Sequence, residues 1–376
     1  MEKKIFSPRE QVKDFIRQGI AAGVLTQGNM VPSEILISEQ LNLSRGTVRT
    51  ALEELELAGV LQKRNHRRYV ADGQRKRAEI RELVLVVGTS VDDPCQFRNT
   101  GFALAVQAGI MDALSERSKS VVSLHMDNIN LQDVEVLVQL RPEGAILTQK
   151  VLMSELGEPV LHRLKEQEIP CVLEYMDERY AENDCVLYDH ESGNYELTRY
   201  ALALGCRNIM CFYPDNTREY WFNARHRGYR RAMNEAGLTP YPGLKTRPFK
   251  AEYDHTRETF DLAVRLNMGF LCEYFSGLRP PDCIMANSDW EASFVAAACR
   301  ALGKEPNRDV MIMGFDNKIE SNPWMKFEPV RPMATLDKHN TQLGRMLCDT
   351  LFERIAGVLP PEPVLRMMKM DLVKLQ

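Results

Sequence analysis

The stretch Leu43-Ser44-Arg45-Gly46-Thr47-Val48-Arg49-Thr50-Ala51-Leu52, LSRGTVRTAL, decides how the first part of this chain folds. Drawn as a helix at about 100° per residue, it puts Val48, Ala51 and Leu52 on one face together with Leu55, and that face must pack against a core. Arg45 and Arg49 lie one turn apart on a flank of the outer face. Gly46 sits near the middle of that face and Thr47 at its other edge. Ser44 stands where an N-cap belongs, and Gly59 where a helix stops. The positive end of the helix dipole points the same way as the two arginines, so the first turn offers charge and donors to an anion. Two arginines alone are more often an ordinary solvated face.

The flanking sequence shifts that weighting. Upstream, PREQVKDFIRQGIAAGVL carries Val12, Phe15, Ile16 and Ile20 at helical spacing, and Ser33 caps a second helix over Glu34 to Leu41. A short Asn-Leu-Ser turn leads into the third helix, from Arg45 to about Ala58. Downstream, VLQKRNHRRYVA reads as two strands, Val60–Gln62 and Tyr69–Ala71, around a basic tip holding Lys63, Arg64, His66, Arg67 and Arg68. Helix-turn-helix followed by a basic hairpin is the winged-helix arrangement. In it the second helix of the pair enters the major groove and the hairpin lies along the backbone or minor groove.

Charge is divided in the same way. The chain has 376 residues, 48 Lys+Arg and 52 Asp+Glu, for a net charge of −4. Residues 1–82 hold 15 basic and 11 acidic side chains, and the rest hold 33 and 41. A basic end on an acidic body means that only the end meets a polyanion. The length calls for two or three domains. The composition, 44% hydrophobic and 27% charged with a mean hydropathy of −0.32, is that of a globular protein. No apolar run is long enough to span a bilayer, and MEKKIFSPREQ lacks the apolar core of a secretory signal. The nine cysteines show no CxxC pair or metal-ligand spacing, so free thiols in a reducing cytoplasm are expected.

Pro32-Ser33-Glu34, Ser44-Arg45-Gly46-Thr47-Val48-Arg49, the run from Leu52 to Gly59 and the basic hairpin together resemble the GntR family of bacterial transcription regulators over nearly all of residues 8–71. The resemblance implies DNA contacts from Ser33, Ser44, Arg45, Gly46, Thr47, Arg49, Arg64, His66, Arg67 and Arg68. Two places depart from the family pattern: Ile35 stands where an arginine is usual, and RNHRR replaces a glycine-bearing wing tip.

After a charged linker, residues 73–82, the pattern changes. LVLVVGTS is a continuous apolar run, typical of a buried parallel strand, and it opens an alternation of strands and helices in two blocks. Two doubly wound α/β lobes are expected, with ligands bound beyond the carboxyl ends of the strands. Those ends fall at Thr89-Ser90, Thr148-Gln149, Tyr175, Tyr213, Ser288-Asp289 and Asp316. Phosphate-loop, dinucleotide-loop, nucleophile-elbow and zinc-protease motifs are all missing from the sequence. Asp289 and Asp316 read better as acceptors for ligand hydroxyls than as an acid–base pair.

CRNIMCFYP, ARHRGYRRAMNEAG, PDCIMANSDWEASFVAAACRALG, DVMIMGFDN and ATLDKHNTQLGRMLCDTLFERIAG resemble the effector domain of the LacI family, built like a type I periplasmic sugar-binding protein. That resemblance implies effector contacts from Ser90, Phe102, Tyr175, Trp221, Arg225, Ser288, Asp289 and Asp316. The pairing of a GntR-type reader with a LacI-type sensor occurs in arabinose-responsive bacterial regulators, which this chain resembles.

The expected architecture is an α+β winged helix over residues 1–72, the linker, and a body over 83–376. Lobe 1 takes about 83–188 and 331–357, and lobe 2 about 189–330 and 358–376. The expected function is transcription regulation, as a repressor. Its partners are double-stranded operator DNA, a small sugar or sugar derivative, and a second copy of the chain in a homodimer. No membrane, cofactor or metal is expected, and the place of action is the cytoplasm, at the nucleoid when on DNA. A sugar- or nucleotide-processing enzyme and a solute-binding protein on the same body are the rival readings.

Overall fold

The computed structural model describes residues 7–26, 28–57, 59–64, 67–71, 83–89, 100–125, 130–214, 219–244 and 255–375. Its contacts divide the chain into two units, 1–80 and 81–376. The expected linker over 73–82 lies outside the described residues.

In the first unit Ser7 caps α1 (Pro8–Ala21) and Ser33 caps α2 (Glu34–Leu41). Asn42 adopts a left-handed conformation (φ 53°), and the Ser38 hydroxyl ties the turn by donating to Leu43 O at 2.6 Å. The turn leads into α3 (Arg45–Leu57), capped by Ser44, whose Oγ accepts from Thr47 N–H at 3.2 Å. Val12, Ile16, Ile37, Val48, Ala51, Leu52, Leu55 and Leu61 form one buried cluster, as the helical spacing requires. Gly59, at φ 73°, turns the chain into the hairpin β1 (Leu61–Arg64) and β2 (Arg67–Val70). The strands reach closer to the tip than expected. Arg64 pairs with Arg67 and Lys63 with Arg68 because their side chains fan out to solvent or into ion pairs while the backbone keeps its ladder.

The second unit begins with β3 (Leu83–Thr89), wholly buried, then α4 (Thr100–Glu116), β4 (Ser120–His125), α5 (Leu131–Val138), β5 (Gly144–Leu147), α6 (Gln149–Leu152), α7 (Gly157–Glu166), β6 (Cys171–Leu173) and β7 (Asp184–Tyr188). The second block runs α8 (His190–Ala203), β8 (Ile209–Phe212), α9 (Tyr220–Glu235), α10 (Arg257–Ser276), β9 (Cys283–Ala286), α11 (Asp289–Ala301), β10 (Met311–Met313) and β11 (Ala334–Asp337). It closes with α12 (Asn340–Ile355), β12 (Leu365–Met368) and β13 (Asp371–Lys374). One sheet has the order β12-β7-β6-β5-β3-β4, all parallel. The other is β13-β11-β10-β9-β8, parallel except for β13 against β11.

This topology corrects the expected lobe boundaries. Residues 334–337 belong to the second sheet, because Ala334, Thr335 and Leu336 are fully buried between β10 and β13. Residues 365–368 belong to the first sheet, beside β7. The chain therefore passes between the sheets at Tyr188–His190, at Lys338–Asn340 and at Met368–Met370. The Tyr188 hydroxyl donates to Asn340 Oδ1 at 2.6 Å, joining the first two passages.

Helix pairs approach closely at glycines. A Cβ at Gly228 in α9 would fall 2.0 Å from Glu191 O in α8, and one at Gly344 in α12 would fall 2.1 Å from Val106 O in α4. Backbone cannot retreat as a flexible side chain can. Gly228→Ala is therefore expected to cost about 1–3 kcal/mol, read as a lowered melting temperature of the second unit, with the melting of residues 1–80 unmoved.

Candidate functional site

Two sites emerge, one in each unit. In the first, the opening turn of α3 is laid bare. Ser44, Arg45, Gly46 and Arg49 are exposed, and a Cβ at Gly46 would lie 3.9 Å from Ser44 Oγ, an ordinary contact. Thr47 is partly covered, its hydroxyl 2.8 Å from Ser44 Oγ. Arg49 remains 61% exposed while its guanidinium reaches back to Glu34 at 3.1 Å, so its stem is oriented before any ligand arrives. Arg64 and Arg67 are exposed on the hairpin, with Arg64 about 6.0 Å above the Tyr69 ring. Ser33 spends its hydroxyl on Leu36 N–H. His66 lies outside the described residues.

Arg68 is the exception in this group. Its side chain is only 11% exposed and bonds Glu34 at 2.6 Å and Glu56 as well. It cross-links the hairpin, α2 and α3 instead of facing outward, which corrects its expected place among the DNA contacts. Burial raises the Glu34 pKa, yet the bonds from Arg49 and Arg68 outweigh that and hold it below the usual carboxylate range. Removing Arg68 takes one ion-pair partner from each of two partly buried carboxylates, Glu34, which keeps Arg49, and Glu56. Arg68→Ala is expected to destabilise residues 1–80 by about 2 kcal/mol, whereas Arg45→Ala leaves thermal unfolding within error.

In the second unit, side chains converge where the sheets' carboxyl ends meet. Arg225 of α9 is 3% exposed. Its guanidinium carbon stands 3.4 Å from the Phe315 ring centre and 4.8 Å from that of Trp221. It donates to Asn287 O at 2.9 Å and Asn287 Oδ1 at 3.2 Å, and its Nε reaches His190 Nδ1 at 3.4 Å. Burial pushes Arg225 below its ordinary pKa, with Asp316 the largest opposing influence. Burial, Arg225 and Lys338 together push His190 well down, so it is neutral and able to accept from the arginine. Trp221 stacks on Phe222 at 3.6 Å, and its indole N–H has no acceptor among the described residues.

Asp316 follows β10 at φ 99°, a backbone conformation that favours glycine. Its carboxylate meets the Lys338 ammonium at 2.9 Å. Tyr175 comes from the end of β6 and stands edge-on to Tyr220 of α9 at 5.9 Å, a contact between the two lobes. Ser288 caps α11 through Glu291 N–H. Phe102 lies in α4, its side chain outside what is described, and Ser90 lies outside the described residues.

Asp289 is 1% exposed and accepts from Lys318 N–H at 2.6 Å, which clamps the loop that carries Asp316, while its Oδ1 is buried with no hydrogen-bond partner among the described residues. The sequence reading also passed over Glu174, Tyr188, His190, Asn287 and Lys338. Asn287 sits one residue before a chosen position, Ser288, and a strand-end motif does not say which neighbour turns inward. His190 opens α8, a position that no strand-end pattern marks.

Burial raises both Glu174 and Asp289 to about 7. Between the unfolded carboxyl range and that value the folded state binds more protons than the unfolded one, so stability falls as pH rises. Chemical denaturation of residues 81–376 is expected to require less denaturant at about pH 8 than at about pH 5. Asp289→Asn, which keeps an acceptor for Lys318, flattens that decline.

Among the described residues, no cluster of His, Cys, Asp and Glu could hold a metal, and no helix is long and apolar enough to cross a membrane. The eight cysteines among them are unbridged. An open groove of about 610 Å³ along α12 and β12 lies on the outside of the first lobe, away from Arg225.

Comparison with known proteins agrees with both halves. Residues 8–70 match the family described as bacterial regulatory proteins, gntR family, and residues 198–374 match a periplasmic binding protein-like domain. The chain thus joins a gntR-type domain to a periplasmic binding protein-like domain. Its curated relatives are transcription regulators. The arabinose metabolism transcriptional repressor of Geobacillus stearothermophilus is 26% identical over 84% of each chain. The regulator DegA of Bacillus subtilis is 28% identical over 61% of this chain, which spans 65% of DegA's length. The repressor PurR of Glaesserella parasuis is 26% identical over 61% of this chain and 62% of its own. In fold, the chain is similar to the regulator CelR solved with cellobiose (TM-score 0.58, 20% identity, 91% of this chain and 98% of that one). It is similar also to a LacI-family regulatory protein from Chloroflexus aggregans (TM-score 0.60, 18% identity, 79% and 98%).

Proposed function

We propose that this protein is a repressor that binds operator DNA as a homodimer and releases or tightens its grip when a sugar or sugar derivative binds between the lobes of residues 81–376. The observation that carries the DNA half is the bare first turn of α3. Arg45 and Arg49 flank the exposed Gly46 there, the dipole adds to their charge, and Arg64 and Arg67 extend the basic surface. Two such domains related by a two-fold axis fit a pseudo-palindromic site. The relatives' names support regulation of this kind, and no membrane-spanning helix among the described residues argues against action in the cytoplasm at the nucleoid.

The effector half rests on Arg225. A guanidinium bonded, among the described residues, only to neutral groups, walled by Trp221 and Phe315 and near Asp316, suits a hydroxyl-rich ring. Tyr175, Trp221, Arg225 and Asp316 contact the ligand in this reading, Ser288 and Asp289 hold their loops, and Ser90 and Phe102 complete the set. Asp316 paired with Lys338 and His190 turned to the Arg225 guanidinium favour binding over turnover.

Arg45→Ala is expected to weaken binding to DNA selected from a random library by about 1–3 kcal/mol, measured by fluorescence anisotropy, and to leave ligand-induced thermal shifts in place. Arg225→Ala is expected to do the reverse. Unchanged DNA affinity in the first variant contradicts the groove placement, and an intact ligand response in the second contradicts the pocket.

A further inference from the structure

Successive side chains of the second passage between the sheets, Lys338–Asn340, take different partners. Lys338 Nζ meets Asp316 Oδ1 at 2.9 Å, His339 Nε2 meets Asp371 Oδ2 at 2.9 Å, and Asn340 Oδ1 accepts from the Tyr188 hydroxyl at 2.6 Å. Tyr188 ends β7 where the first passage begins, and Asp371 opens β13 where the third passage ends. The second passage is thus bonded to the chain beside each of the others.

These ties differ in strength. Asp371 is 66% exposed, and an ion pair open to water adds little. The Lys338–Asp316 pair is nearly enclosed, at 12% and 7% exposure. Taking away one side of such a pair leaves a buried charge uncompensated, so the pair resists separation. Asp316 is itself held in place. Its N–H donates to Leu336 O at 2.9 Å, Asn317 N–H to Thr335 Oγ1 at 3.1 Å, and Asn317 Nδ2 to Asp337 Oδ2 at 2.9 Å, which pins its loop along β11. The Lys338 ammonium also lies 5.2 Å from the ring centre of Tyr188, a residue of the first sheet. Lys338 therefore engages the second lobe through Asp316 and the first through Tyr188.

Asp316 Oδ1 is buried and accepts no well-directed hydrogen bond among the described residues, so the ammonium at 2.9 Å neutralises it by charge. A ligand hydroxyl donating to this carboxylate supplies the bond that is missing and competes for the charge that holds Lys338.

We infer that Lys338 is the positioning residue through which occupancy of Asp316 reaches the passages between the lobes, and that breaking its ion pair alters the grip on DNA. This rests on the effector and DNA readings above. A ligand at Asp316 loosens Lys338 from the second lobe, and the lobes, released at the second passage, settle into a different closure.

The test is a double-mutant cycle on the full chain without ligand, read by anisotropy as affinity for DNA selected from a random library. Lys338→Met and Asp316→Asn are each expected to change the dissociation constant about fivefold or more, in the same direction, and the double variant to change it no further. Lys338→Arg keeps the charge within reach of the carboxylate and is expected to retain the affinity of the unaltered chain. If Lys338→Met does not fold, Lys338→Gln takes its place in the cycle with the same expectation. Unaltered affinity in both single variants overturns the inference and leaves the DNA reading standing. Changes that add in the double variant overturn it too, as does a Lys338→Arg variant that behaves like Lys338→Met. An unaltered chain that selects no DNA overturns this inference and the DNA reading together.

Discussion

A positive charge buried without a carboxylate in hydrogen-bonding reach among the described residues is the constraint around which the second unit is arranged. Removing the Arg225 guanidinium from water is costly, and neutral groups must offset it: the Asn287 carbonyl and amide oxygen, the neutral His190 ring, and the faces of Phe315 and Trp221. Each partner arrives from a different segment. Asn287 follows β9, His190 opens α8 just after the first passage between the sheets, and Phe315 follows β10. The strand order of the second sheet is what brings these ends to one place. Asn194 reinforces the arrangement by donating to Arg225 O at 2.9 Å and to the Tyr213 hydroxyl at 2.8 Å, tying α8, α9 and the end of β8 together.

The DNA-binding unit solves the opposite problem, keeping charge outward yet oriented. Glu34 sits between Arg49 and Arg68 and links α2, α3 and the hairpin through one carboxylate. Arg68 is nearly enclosed and acts in packing, while Arg49 is held at its guanidinium by Glu34 and stays 61% exposed. Two arginines that look alike in sequence are thus divided by burial into a structural one and a presenting one.

Local sequence made the first unit legible. Its caps, left-handed turn and apolar stripe are all short-range signals, and Ser33, Ser44, Gly59 and the Val48–Leu55 face stand where their chemistry demands. In the body, apolar runs such as LVLVVGT announced buried parallel strands, but strand membership depends on partners far along the chain. Ala334–Asp337 and Leu365–Met368 look equally able to join either sheet, and only the packing of β10 and β7 beside them decides. The site was legible to within a residue. Arg225 and Asp316 stood in recognisable settings, whereas Asn287 lost to Ser288 because the twist at a strand end, and not the order of residues, determines which side chain turns inward.

If ligand and DNA act on one equilibrium, each must change the other's affinity by the same factor. The most direct test is the dissociation constant of the effector measured twice, for the free protein and for the protein saturated with its selected DNA. The account requires two different values, with their ratio equal to the change in DNA affinity caused by the effector. Identical values, for an effector that binds in an Arg225-dependent way, would mean that the two units share a chain without sharing an equilibrium.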